Sequence, residues 1–193
     1  MVSTEGFFLH LGMRNHYLNL CFVLILFSCN SPESKGPDGT TFKDAVAYND
    51  FIIKHQGKII NHILAVSAMI GEDLDSAEAL LGKGVLITDS ALAQVKAMGD
   101  FKGDTIFRNR AVANFQFYRK LFTSDYRKIV SINKKGKAAT EADVEILQSI
   151  QSNLEEEEAE LDKRLSNAQS DFAKKNKMPL LDNDVQKKID STE

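Results

Sequence analysis

From residue 41 onward, apolar residues recur with the three-to-four-residue stride of a helix, and the period-two alternation of a strand is never sustained. Four amphipathic helices follow from the pattern. The first is expected over residues 41–70, opened by Thr41 with Asp44 and ended by Gly71. The second runs over 75–98 from Asp75 with Glu78 to Gly99, and the third over 104–132 from Asp104 to the sequence NKKGK. Thr140 with Asp143 opens the fourth, over 140–177, which stops before Pro179.

Turning each segment at 100° per residue gives its expected buried face. The first helix buries Phe42, Val46, Ile53, Ile60, Ile63, Leu64 and Ile70, and the second Leu74, Ala77, Leu81, Val85, Leu92 and Val95. The third contributes Phe107, Ala111, Tyr118, Leu121, Phe122, Ile129 and Ile132, and the fourth Leu147, Ile150, Leu154, Leu161, Leu165, Ala168 and Phe172. Four such helices on short links predict an all-α fold, an antiparallel up-down-up-down four-helix bundle over residues 41–178, with a flexible tail at 179–193. Gly82 and Gly84 interrupt the second helix. They permit close backbone approach, mark a kink or simply weaken the helix.

Ahead of the helices the pattern changes character. LCFVLILFSCNSPESKG is an apolar run that ends at Ser28 and Cys29 and then turns polar. A membrane-spanning helix needs about 20 mostly apolar residues, and Asn15, His16 and Asn19 cut this run short. A basic residue (Arg14), a short apolar core and a small residue before cysteine instead read as an export signal at residues 1–28. Leu26-Phe27-Ser28-Cys29 resembles the bacterial lipobox, with cleavage between Ser28 and Cys29 and Phe27 as its one departure. The first twelve residues hold an acid and no base, so the true start is expected at Met13. Cys29 then becomes the first mature residue and carries covalent acyl and diacylglyceryl chains, and residues 29–40 form a flexible Ser/Pro/Gly tether.

Composition narrows the function. A net charge of −3 offers no electrostatic footprint for nucleic acid. The chain has two cysteines, Cys21 in the signal and Cys29 under acylation, which leaves the mature protein no thiol for a disulfide, zinc site or nucleophile. No phosphate loop, nucleophile elbow, haem-attachment or dinucleotide motif occurs, so no catalytic residue stands out. The Glu-x-x-His motif of di-metal bundles is missing, and Glu155 to Arg164 lies on one continuous helix that cannot wrap its carboxylates around an ion, so neither metal nor other cofactor is expected.

Polar residues do break the apolar seams. Asn49 and Gln56 fall seven apart in the first helix, Asn114 and Asp125 in the third, and Glu157 or Glu158 in the fourth. Antiparallel packing would bring Gln56, Tyr118 and Glu158 to one level. Such a layer fixes helix register, forms a small polar pocket or opens to water. The expected function is a non-enzymatic lipoprotein that binds another envelope or extracellular protein or serves a structural role in the envelope; a small-molecule or metal carrier with its ligand between the helices is the alternative.

AYNDFIIKHQGKI (47–59), FQFYRKLFTSDYRKIV (115–130) and AQSDFAKKN (168–176) resemble a family of helical surface lipoproteins of diderm bacteria. The resemblance implies location at a cell surface and transfers no catalytic residue; the lipid anchor at Cys29 leads to the expectation of an outer-membrane attachment facing the periplasm or the exterior.

Overall fold

The computed structural model describes residues 34–180. The signal-like segment, Ser28 and Cys29 among it, and residues 181–193 lie outside the described residues.

The first described element corrects the expected tether. Ser34–Lys35 (β1) pairs antiparallel with Thr41–Phe42 (β2), with Ser34 opposite Phe42 and Lys35 opposite Thr41. Gly36-Pro37-Asp38-Gly39 supplies the turn between them, where Asp38 and Gly39 take positive φ. The hairpin is sewn to the helical domain: the Gly99 N–H donates to the Lys35 carbonyl at 2.7 Å, and Phe42 and Pro37 are buried. Residues 34–40 therefore fold, because Phe42 buries an aromatic ring that a free tether would leave in water.

The hairpin also moves the start of the first helix. Thr41 commits its backbone to β2, so α1, Ala45–Glu72, is capped by Asp44, whose Oδ1 accepts the Ala47 N–H at 2.8 Å. Gly71 does not end it. A single residue, Asp73, joins α1 to α2, Leu74–Lys96, and caps the latter by accepting from the Asp75 and Ser76 N–H groups, in place of the expected Asp75. The third expected helix is divided into α3 (Ile106–Lys120), one π-helical turn (Leu121–Asp125) and α4 (Tyr126–Asn133). Thr140 and Asp143 form a reciprocal capping box at the start of α5, Glu141–Lys175. Lys135 adds an ion pair at 2.6 Å, and these bonds hold the Asp143 carboxyl down at about 2.

The architecture is all-α apart from the hairpin. α1 packs on α2, α2 on α3, and α3 on α5. One aromatic cluster joins the start of α1, the start of α3 and the end of α5: Tyr48 stacks on Phe172 at 5.5 Å, and Phe42, Phe101 and Phe107 surround the pair. Burial pushes the Tyr48 phenol up to about 12, and its hydroxyl donates to the Gly99 carbonyl at 3.0 Å. Away from this cluster, the end of α1 meets α4 through Ser67 and Tyr126, and Lys134 ties α4 to Asp75 and Glu78 at the start of α2.

The faces of α2 and α3 match their expected stripes closely, but α1 is rotated. Of the expected face Phe42 and Ile60 are buried, Val46 is 42% exposed and Ile53, Ile63, Leu64 and Ile70 are half-buried, while Ala45, Ile52, Ile59 and Val66 take the core positions. α5 is packed unevenly. Leu165, Ala168, Phe172 and Ala173 are buried, whereas Leu147, Ile150, Leu154 and Leu161 are only half-buried. Ile129 is half-buried too, its place in the core taken by Val130.

Candidate functional site: a polar seam between three helices

Apolar packing along α1, α3 and α5 is broken by two polar layers. In the first, Asn49 Oδ1 accepts from Gln169 Nε2 at 2.8 Å, and Asn49 Nδ2 donates to Asp50 Oδ1 at 3.2 Å. In the second, Asn114 Nδ2 donates to Asp162 Oδ1 at 2.8 Å, and Gln56 and Asn114 lie beside the Tyr118 phenol. From one layer to the other the chain advances seven residues on α1, from Asn49 to Gln56, and retreats seven on α5, from Gln169 to Asp162. Seven residues of helix rise about 10 Å, so the layers sit two turns apart.

The structure gathers four of the five expected polar residues, Gln56, Asn114, Tyr118 and Glu158, in the second layer and leaves Asn49 in the first. It also separates Glu157 from Glu158: Glu157 pairs with Lys120 at 2.6 Å, and Glu158 faces Tyr118 and Asp162. Asp125, on the π turn, has a buried Oδ2 with no hydrogen-bond partner. Asp162 and Gln169 were missed by the sequence reading. Their signal was present, since Asp162 stands one turn beyond Glu158 and Gln169 repeats the seven-residue spacing of Asn49 and Gln56.

The electrostatics of the second layer are one-sided. Tyr118 is 1% exposed, and burial raises its pKa far above the usual phenol value, with the Asp162 and Glu158 charges adding to the shift. The Asp162 carboxyl is raised by desolvation against the opposing pull of Asn114 and Tyr118. Desolvation, then the neighbouring Asp162 charge, raises Glu158. Both acids keep solvent access as whole residues, so their carboxyl groups lie at the mouth of the seam rather than in its floor. Among the described residues neither acid forms an ion pair; the nearby cations Lys120 and Arg164 bind Glu157 and Glu160 instead.

These shifts fix the sign of a pH effect. A carboxyl held above its ordinary range contributes stability that is full below that range and is lost as pH rises through the raised folded value. With divalent ions chelated, Asp162→Asn is therefore expected to be more stable than the parent at neutral pH. The difference should narrow as pH falls and both folded and unfolded carboxyls take up a proton. Denaturation midpoints across that range check it, and a variant less stable at neutral pH contradicts it.

The histidines take separate roles. His62 Nε2–H donates to the Leu80 carbonyl at 2.9 Å beside Phe122, a packing contact between α1 and α2. His55 borders a shallow groove of about 270 Å³ with Lys58, Leu86, Ile87, Ser90 and Ala91. Burial, then Lys58 and Lys54, lowers its pKa. Among the described residues no group of three or more His, Cys, Asp or Glu side chains is placed to hold a metal ion, and no helix is long and apolar enough to cross a membrane.

No protein-family profile, curated protein or solved structure matches the chain.

Proposed function

We propose that the chain is a non-enzymatic lipoprotein of a bacterial envelope, fixed to the outer membrane by acyl chains on Cys29, whose helical domain engages another envelope or extracellular protein. Leu26-Phe27-Ser28-Cys29 at the end of a short apolar run carries the reading. The position of the hairpin sharpens it. Ser34 is in register with Phe42, five residues beyond Cys29, and five residues span about 17 Å at full extension. The domain is then held close to the lipid surface, with its hairpin end inward, rather than standing off on a twelve-residue leash.

We infer the up-down-up-down order of the helices from contacts at the hairpin end. The aromatic cluster gathers the starts of α1 and α3 with the end of α5, and Gly99, just past α2, binds both the hairpin and Tyr48. The opposing seven-residue steps on α1 and α5 in the polar seam support the same order.

Cys29→Ser tests the anchor. In detergent phase separation of envelope extracts the parent should enter the detergent phase and the variant the aqueous phase. A parent protein recovered in the aqueous phase rules the anchor out.

A further inference from the structure

We propose that the hairpin end of the domain is itself a docking face for anionic lipid headgroups, a second membrane contact made by lysines and exposed apolar side chains beside the acyl chains. The orientation that brings this face to the bilayer rests on the Cys29 anchor proposed above.

Charge is polarised along the domain. Residues 34–46, 96–110 and 171–180 meet at the hairpin end, joined by the bond from the Gly99 N–H to the Lys35 carbonyl, by Arg108 to the Met98 carbonyl and by Lys175 to Asp104. Together these segments hold nine Lys and Arg against five acids, whereas the remaining described residues hold twelve against sixteen. Three of the five acids turn to their own backbone: Asp44, Asp100 and Asp104 accept the Ala47, Gly103 and Ile106 N–H groups. Of the nine cations, Lys175 alone is ion-paired among the described residues. The end therefore presents net positive charge to whatever it meets.

Apolar exposure at the same end selects a lipid surface. Val46, Ile106 and Leu180 are three of the six exposed large apolar side chains among the described residues, and they stand in the first turn of α1, at the first residue of α3 and just past α5. Ile106 is 62% exposed. Apolar side chains set among lysines enter the headgroup region while the cations stay at phosphate level. Lysine also occupies turn tips here. Phe101 and Asp104 exchange backbone bonds of 3.0 Å around Lys102 and Gly103, both at positive φ, and Lys177 takes positive φ just past α5. Both lysines are exposed, at positions where glycine would fit with less strain. Screening confines the attraction to about 8 Å at physiological ionic strength. Only cations carried to the bilayer contribute, and a link of five residues from Cys29 to Ser34 carries this end there.

The test uses the full-length protein, purified from membranes and reconstituted in vesicles. The chain has no tryptophan, so Ile106→Trp and Val144→Trp each give one emitter at an exposed site. Position 106 lies at the hairpin end, and position 144 lies about 40 Å along α5 from Phe172. In vesicles of brominated phosphatidylglycerol and phosphatidylcholine, emission from position 106 should fall by about half or more, and emission from position 144 should hardly change. Emission at 106 should recover in about 1 M salt, where the screening length is about 3 Å. It should also recover in Lys102→Glu/Lys177→Glu, but not in Lys54→Glu/Lys58→Glu on the flank of α1. Flotation on neutral phosphatidylcholine vesicles reads the anchor separately. A chain that floats only on phosphatidylglycerol vesicles, with position 106 quenched, keeps the docking face and loses the anchor; a chain that floats on neither loses both. In a chain that floats, equal quenching at the two positions or none at either overturns the docking face. So does quenching at 106 that salt and charge reversal leave unchanged, which would mean that the tether alone holds the domain.

Discussion

Gly84→Ala is expected to destabilise the domain by about 1–3 kcal/mol, while Gly82→Ala, two residues earlier on the same helix, stabilises it by up to ~1 kcal/mol. The opposite signs come from surroundings alone. A Cβ at Gly84 would stand 2.6 Å from Phe122 Cδ1 and 2.7 Å from Cε1, closer than real Cβ contacts come. Phe122 cannot swing away: it is fully buried, His62 lies 5.6 Å from its ring and Tyr126 6.3 Å, and it sits on the π turn. α2 would have to move off α3. At Gly82 no atom lies within 4 Å of the added methyl, so alanine contributes helix propensity and narrows the unfolded ensemble at no steric cost. Urea denaturation midpoints of the two variants measure this; shifts of the same sign would contradict the close contact between α2 and the π turn.

Phe172→Ala is expected to cost about 3–5 kcal/mol, the largest loss from any single truncation in α5. Its ring touches Tyr48, Phe101 and Phe107, three residues from three parts of the chain. Deleting it leaves a cavity where α5, the hairpin end of α1 and the start of α3 meet. Leu147→Ala, near the other end of α5, should cost about 1 kcal/mol, because Leu147 is half-buried and keeps water contact in the parent. Hydrogen exchange should show the same gradient, with amides over 145–160 opening before those over 165–173. Equal protection along α5, or similar losses in the two variants, would place the packing of this helix elsewhere.

Much of this was legible in the chain. The Thr140 and Asp143 capping box and the stripe of Ala77, Leu81, Leu92 and Val95 follow from spacing, because capping and helical amphipathicity are local. α1 shows where locality fails. Val46, Ile53 and Ile60 form one row at seven-residue spacing, and Ala45, Ile52, Ile59 and Val66 form another, one residue earlier. Side-chain apolarity does not separate the two rows. The fold buries all of the second and, of the first, only Ile60, because Tyr48 adjoins the second row at its start, with a hydroxyl partner, Gly99, that lies 51 residues away. The hairpin was hidden for the same reason: Ser34 to Thr41 has a linker's composition, and only the distant Gly99 N–H and the pocket for Phe42 give it structure.

The polar seam was partly readable. Asn49, Gln56, Asn114, Tyr118 and Glu158 stand out as polar groups on apolar faces, but Asp162 looks like one more member of an acidic solvent face until α3 supplies Asn114. Gly84 and Gly82 are equivalent in sequence, and only the π turn, which re-aims Phe122, tells them apart.

The intact mass of the mature protein, purified from membranes, tests the anchor most directly. It should correspond to a chain that begins at Cys29 and bears a diacylglyceryl group and an amide-linked acyl chain. A chain that retains residues 13–28 and an unmodified Cys29 thiol, and that salt alone washes from the membrane, would contradict it.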